Sequence, residues 1–379
     1  LRSFTNDLRN KFFYQIKHYL TFTIGVQMIM GSVRALKNMV SSIVEFEHAA
    51  VDAVTVSGHL GSEFENMRDH VMRVSQYLGR TTVFTALDAA KAYYNLASSG
   101  LDIAEITEKE LLPILNYAAA TQTTLEDATY AVTTAMKQFG LTMQDTERIA
   151  DVFTATITNT YATAERLKEG FKYVGTAAGA LDISIEETAA ALGILYNRGL
   201  EGGQAGRYLN MVLVKLIDPT EKARKTLESL GLSIEDLDPR THSLAEILLS
   251  LKAAGFGASE AAQMFRARTA AAAVALVEDA ERFVLLNEQI KRSQGLSEEI
   301  AKYQIKTLWG AIKLLKSAIE ELGLSLKGFV IPILTGFADA IRENLIPPIR
   351  LLFGALSALE DAAGRYSNFL SRIFTGSLG

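Results

Sequence analysis

Along most of this chain, apolar residues recur at intervals of three and four. Ile149, Val152, Phe153, Thr156 and Ile157 fall at i, i+3, i+4, i+7 and i+8. Ala205, Leu209, Val212, Leu213 and Leu216 draw a second stripe, which Asp218-Pro219 brings to an end. On a helix of about 3.6 residues per turn such positions share one face, and the residue before a proline is driven out of the helical region. No stretch sustains strand alternation between hairpin turns. The pattern therefore predicts an all-α chain.

From Thr81 onward the helical stretches are short and alanine-rich, and a small motif separates them. It appears as Gly100-Leu101-Asp102, Gly140-Leu141-Thr142, Ala180-Leu181-Asp182, Gly231-Leu232-Ser233, Gly257-Ala258-Ser259 and Gly295-Leu296-Ser297. Each reads as one helix stopping and the next starting: glycine takes the left-handed conformation, leucine covers the junction, and the short polar side chain accepts from free amides of the next first turn. Asp102 to Glu105, Thr124 to Asp127 and Ser184 to Glu187 keep the spacing of a capping box or its Asp variant. The first three junctions are 40 residues apart, room for one helical hairpin per interval. Later junctions break the period, so the expectation is a loose helical repeat and not a strict solenoid.

Towards the C-terminus the spacing changes. Ile305, Leu308, Ile312, Leu315, Ile319, Leu322, Leu326 and Phe329 step alternately by three and four, a heptad seam sustained for more than three heptads. Such a seam wants a partner helix, either in a hairpin of the same chain or in another copy, and its Ile and Leu alternation favours two strands in a simple parallel coiled coil. Gly323 and Gly328 weaken it, and Pro332 and Pro347-Pro348 should end or kink the helices beyond it. These textures divide the chain into residues 1–80 (N-terminal amphipathic helices), 81–290 (an alanine-rich helical core) and 291–379 (C-terminal heptad and apolar helices).

Composition narrows the function. Of 379 residues 49% are hydrophobic, which excludes a disordered chain, and the six prolines leave room for long helices. With no cysteine there is no disulfide framework, thiolate metal site or cysteine nucleophile. A net charge of -5 argues against nucleic acid as a specific partner. The charge is uneven: residues 1–40 carry about +5 and residues 41–70 about -5, either as helices whose opposite charges face one another or as a basic arm that touches a surface or another subunit. That arm holds Phe12, Phe13, Tyr14, Tyr19 and Phe22, candidates for contact with a membrane or partner. The uncharged runs Tyr19 to Val33 and Gly328 to Ala338 fall short of the roughly 20 residues that a bilayer core requires, and are expected to form buried or amphipathic helices. A start at Leu1 with no signal-peptide pattern is expected of a piece of a longer protein.

Catalytic constellations do not assemble. Glu45 and His48 form one Glu-x-x-His, whereas a di-iron bundle needs two such motifs and further carboxylates; His59 and Glu63 read as a surface pair. Gly199-Leu200-Glu201-Gly202-Gly203-Gln204-Ala205-Gly206 is as glycine-rich as a phosphate loop, yet it lacks the Lys-Ser/Thr ending and follows a helix. It reads instead as a tight helix crossing, with Gly199, Gly202, Gly203 and Gly206 letting backbones approach. Gly257-Ala258-Ser259-Glu260-Ala261 misses the nucleophile-elbow pattern at its last residue. No catalytic residue, cofactor or metal site is predicted.

The most specific passage is Gly140 to Leu216. It carries Phe139-Gly140-Leu141 at a junction, the run Leu167 to Gly175 (LKEGFKYVG), the helix start Leu181 to Ala191 (LDISIEETAAA), and a glycine-rich crossing that ends in Ala205-Gly206. Leu230-Gly231-Leu232, Met264-Phe265 and Arg268-Thr269-Ala270 come next, and then Leu308 to Pro332. In this order these elements resemble the core region of phage tail tape measure proteins, over about two thirds of the chain. Gly202-Gly203 and Tyr208 depart from that pattern, which has Gly-Ser or Gly-Thr and a smaller residue there. The resemblance implies a structural, non-enzymatic virion protein that sets the length of a phage tail tube and scaffolds its assembly from within the lumen. It further implies the tail tube protein, tail assembly chaperones and distal tail proteins as partners, a homo-oligomer with three copies favoured, and residence in the host cytoplasm during assembly. A second reading, from the arm and the apolar 328–357 region, is a module that enters the host membrane when DNA is ejected.

Overall fold

The first described helix covers residues 40–57 (α1) and the chain continues as α2 (Ser62–Thr81) and α3 (Ala86–Ser98). The computed structural model describes residues 40–325 without a break, together with 339, 343, 346–351, 354 and 357. Three helical hairpins come after α3: α4 (Glu108–Thr121) with α5 (Leu125–Gln138), α6 (Thr146–Asn159) with α7 (Ala164–Ala180), and α8 (Ile185–Asn197) with α9 (Gly202–Ile217). The first two are the 40-residue intervals of the sequence, and the third follows the junction at Ala180. No strand occurs among the described residues, and the chain is all-α.

The hairpins stack in register. α4, α6 and α8 lie side by side as one layer, and α3, α5, α7 and α9 form the layer beside it. After Asp218 caps α9, the chain turns back through α10 (Glu221–Ser229), α11 (Leu244–Ala253), α12 (Ala258–Met264), α13 (Ala267–Glu278), α14 (Ala280–Lys291) and α15 (Leu296–Ile305). α15 covers α4 and α6, and α14 covers α6 and α8, so the α4–α6–α8 layer is enclosed on both sides. This return explains why the 40-residue period stops. It also explains why α8 is apolar nearly all round: every residue from Ile185 to Tyr196 is buried. α16 (Leu308–Ser325) ends the continuously described stretch, and Ser41–Glu321 gathers into one compact unit.

An aromatic chain holds the layers together. Tyr117 of α4 meets Phe153 of α6 at 5.7 Å between ring centres, Phe153 meets Phe171 of α7 at 4.9 Å, and Phe171 meets Phe139 at the end of α5 at 5.9 Å. Tilted pairs of this kind contribute about 0.5–1.5 kcal/mol each beyond the area they bury.

Helix ends obey local chemistry. The Thr124 and Ser184 hydroxyls accept from the amides of Asp127 and Glu187 at 3.1 and 3.2 Å. Asp102 instead accepts from Ala104, at 2.9 Å, because a single 3-10 turn and not an α-helix comes after it. Reciprocal boxes also stand at Thr85 with Asp88, Thr107 with Glu110 and Ser243 with Glu246. Two junction assignments are corrected. At Ala180-Leu181-Asp182 the left-handed residue is Asp182 itself (φ 56°), and before α12 it is Gly255 (φ 80°), while Gly257 is extended and starts the helix.

Candidate helix-pairing interface

The α7–α9 crossing is built on absent side chains. A Cβ at Gly206 would lie 2.9 Å from the Cα and carbonyl carbon of Gly170, and closer still to its oxygen. One at Gly202 would meet the Cα and oxygen of Arg166 at 3.0 Å. Gly203 faces only the ring edge of Tyr173 and the end of Arg207, and Gly199, with φ +83°, has open space and serves to turn the chain between α8 and α9. Over Gly170 lies Tyr196, whose hydroxyl donates to the Arg166 carbonyl at 2.7 Å. The glycine-rich run in the sequence marks only the α9 side of this contact. Its α7 side is Gly170, and further along α7 Gly175 and Gly179 make room for Gln138, which donates to the Phe171 carbonyl at 3.2 Å. Three glycines inside one helix were the available signal, since each costs about 1 kcal/mol against alanine.

Buried charge is spent on joining elements. Asp151 of α6 is 2% exposed, and its two carboxylate oxygens accept from the amides of Gly295 and Ser297 at 2.6 and 2.8 Å. The carboxylate thus caps α15 from a distant part of the chain, at the end where the helix dipole favours a negative charge. Arg148 forks onto Glu186 at 2.7 and 2.9 Å, which satisfies a carboxylate in the enclosed layer. Arg198 donates to Asp279 at 2.6 Å, and this bond holds the Asp279 carboxyl below its usual range against the opposing effect of burial.

α16 is amphipathic the other way round. Ser317 is buried and donates to the carbonyls of Gly79 and, at 3.3 Å, Phe84. The Glu320 and Glu321 side chains are only 14% and 21% exposed, and Arg80 donates to Glu321 at 2.7 Å. Burial pushes the Glu320 carboxyl above its usual value, with Asp88 and Glu45 adding to the shift and Thr85 and Lys316 opposing it. On the opposite side Leu308, Ile312, Leu315, Ile319 and Leu322 are 55–79% exposed. Of the other seam residues, Ile305 packs against the core, and Leu326 and Phe329 lie outside the described residues. So do the arm residues Phe12, Phe13, Tyr14, Tyr19 and Phe22 and the apolar run from 328 to 338.

Two of the described histidines bond nearby groups. His70 bonds the Ile106 carbonyl at 2.8 Å, and His59 bonds Ser57 at 2.7 Å, in place of the expected pairing with Glu63. Among the described residues no cluster of three or more His, Asp or Glu side chains could hold a metal ion, and no helix is long and apolar enough to cross a membrane.

Residues 68–277, from within α2 to the last turn of α13, match the family described as phage-related minor tail protein. The chain belongs to that family. It is 26% identical over 308 residues to the tape measure protein of Pneumococcus phage Dp-1, covering 79% of this chain and 26% of that protein. It is 28% identical over 263 residues to the probable tape measure protein of Escherichia phage P2, covering 66% of this chain and 32% of that protein. The chain therefore spans about a quarter to a third of the length of these relatives. No solved structure matches it. Membership in the family makes the chain a phage tail component.

Proposed function

We propose that this chain is the folded body of a tape measure protein, one that sets the length of a phage or prophage tail tube and scaffolds tube assembly from the lumen. The reading is carried by the match to the Dp-1 tape measure protein across 79% of the chain, which takes in most of the stacked helices. The tail tube protein, tail assembly chaperones and distal tail proteins are the partners this role requires, with several copies acting together in the host cytoplasm during assembly and in the tail afterwards. No chemistry is asked of the chain, and its buried charges are engaged in holding helices to one another.

The compact fold supports a division of labour within the parent protein. Drawn out as one helix at about 1.5 Å per residue, residues 41–321 would span roughly 420 Å. Packed as a compact unit, a chain of that size has a radius of gyration of about 19 Å, or roughly 50 Å across. A segment folded in this way adds little to a ruler. The length is then encoded in the remainder of the parent chain, and this body supplies an anchored, helix-packed unit.

Electron microscopy of particles made without the parent gene product tests the role. Tails are expected to be absent or of scattered length, and tails of the normal uniform length would overturn it.

A further inference from the structure

α15 and α16 meet at a bend that the sequence does not punctuate. No proline stands between 296 and 325, no described residue there has a positive φ, and Lys306, which caps α15, keeps helical angles (φ -77°, ψ -4°). Helices break sharply at a proline, at a pair of small residues, or where a side chain enters the ladder of backbone bonds, and here it is a side chain. The Thr307 hydroxyl donates to the Gln304 carbonyl at 2.6 Å and accepts from the Gly310 amide at 3.2 Å, so one group closes α15 and opens α16. Gly310 completes the bend by what it lacks. A Cβ there would lie 2.6 Å from the carbonyl carbon of Ile305 and closer still to the oxygens of Ile305 and Gln304. In an unbroken helix the carbonyls five and six residues back lie more than a turn away and leave room for such a methyl.

We propose that this bend is a hinge with two states: the bent one, in which α16 lies on the corner between α2 and α3, and a straight one, in which α15 and α16 form a single helix over residues 296–325. The two states exchange comparable sets of bonds. Bent, α16 has the Ser317 bonds to the carbonyls of Gly79 and Phe84 and the Arg80 pair with Glu321, while Glu320 is enclosed near Asp88 and Glu45. Straight, the backbone ladder runs through Lys306 and Thr307 without help from the hydroxyl, and Glu320 returns to water. Two packings of one sequence that differ by little free energy are what a switch requires. α15 is the fixed arm, since Ala301 is buried, Asp151 holds the amides of Gly295 and Ser297, and the helix lies against α4 and α6. α16 is the moving arm, and its 18 residues, once straight, project about 27 Å beyond α15. The spacing of Ile305, Leu308 and Ile312 points the same way. It keeps heptad register across a break that divides these residues between two helices, as befits a segment that is one helix in one of its states. The hinge stands apart from the tape-measure reading.

The chain has no cysteine, so spin labels on two introduced thiols report the hinge directly. Glu298→Cys on α15 and Ile319→Cys on α16 both replace exposed residues, and an unbroken helix sets these positions about 32 Å apart along its axis, a separation that the bent form does not reach. Pulsed dipolar spectroscopy of the full chain with these two labels is expected to give a shorter distance. Adding Gly310→Ala, whose methyl the bend excludes and a straight helix accepts, should move the main distance to about 32 Å with helical circular dichroism retained. Adding Thr307→Ala instead, which removes the hydroxyl from both of its bonds at an exposed position, should bring in a second population at that distance. Three outcomes overturn the proposal. One is a Gly310→Ala chain that keeps the short distance. The second is a Gly310→Ala chain whose distances spread broadly with loss of helical signal, since α16 has then melted instead of straightening. The third is a distance of about 32 Å in the labelled chain without either further substitution, since the bent form is then not the resting state.

Discussion

Gly206→Ala puts the close crossing of α7 and α9 to a quantitative test. The new methyl would sit 2.9 Å from two backbone carbons of Gly170. Carbon atoms rest at about 3.5–4.0 Å, and the Gly170 oxygen lies closer still, so the two helices must part by about 1 Å. Neither partner is a side chain that can rotate aside, which puts the cost near the upper end of the roughly 1–3 kcal/mol typical of overpacking. Parting the helices also loosens the buried side chains on either side of the crossing, Leu167, Phe171 and Val174 on α7 and Ala205, Leu209 and Leu213 on α9. Alanine's better helix propensity returns about 1 kcal/mol, leaving a net loss of about 2 kcal/mol. For a unit of this size that lowers the melting temperature by roughly 3–4 °C. Two neighbours serve as controls. Gly203→Ala meets only the mobile ends of Tyr173 and Arg207 and should change stability by less than about 0.5 kcal/mol, the usual range for surface changes. Gly199→Ala has space but keeps φ +83°, and should lose about 1–2 kcal/mol through backbone strain alone. Thermal unfolding followed by helical circular dichroism ranks the three. A Gly206→Ala protein as stable as the parent, or less affected than Gly203→Ala, would refute the reasoning.

Single contacts have consequences of their own. Asp151→Ala leaves the amides of Gly295 and Ser297 without their acceptor and should cost about 3 kcal/mol in urea unfolding, with Asp151→Asn, which keeps one acceptor, losing less. The Tyr117 hydroxyl is buried without a hydrogen-bond partner, so Tyr117→Phe should leave stability unchanged or raise it by up to about 1 kcal/mol in the same assay. Arg198 holds the Asp279 carboxyl below its usual value, so the stability this pair contributes is present above the ordinary carboxylate range and is lost as pH falls through the folded-state value. Asp279→Asn should therefore destabilise at pH 7 and flatten the acid limb of a stability profile. Glu320 shifts the other way. Its folded-state value is raised, so ionisation opposes the docking of α16 as pH climbs through that value, and Glu320→Gln should increase the protection of α16 from hydrogen exchange at neutral pH.

Much of this fold was legible because helix periodicity and helix punctuation are local. The stripes at 149–157 and 205–216 became α6 and α9, and Asp218-Pro219 ended α9 as a proline must. The two 40-residue intervals became the first two stacked hairpins, and the third follows at the junction at Ala180. The breakdown of that spacing marks the return of α10–α15, a long-range event that no local spacing encodes. Asp182 in the left-handed conformation was hidden for a local reason: glycine is the expected residue there, yet Asp tolerates it because its short side chain can bond the nearby backbone. The glycine crossing was half visible, since the glycine-rich run of α9 stands out whereas Gly170 looks like an ordinary weak point of α7 until its neighbour is known. The heptad spacing of the sequence runs through Ile305 without a break, whereas in the fold Ile305 ends α15 against the core and the helix restarts at Leu308. That the residues of α16 would face outwards could not be read, because that depends on Ser317 and Glu321 finding Gly79, Phe84 and Arg80 across more than two hundred residues.

Tail length in the parent phage tests the central claim most directly. Six whole heptads inserted in frame into the seam extend a continuous helix by about 63 Å, at about 1.5 Å per residue, whereas the same number of residues inserted in the polar turn at 238–242, between α10 and α11, extends only the folded body. Electron micrographs are expected to show longer tails of uniform length for the first insertion and unchanged tails for the second. Unchanged tails with the heptad insertion, in particles that otherwise assemble normally, would contradict the account.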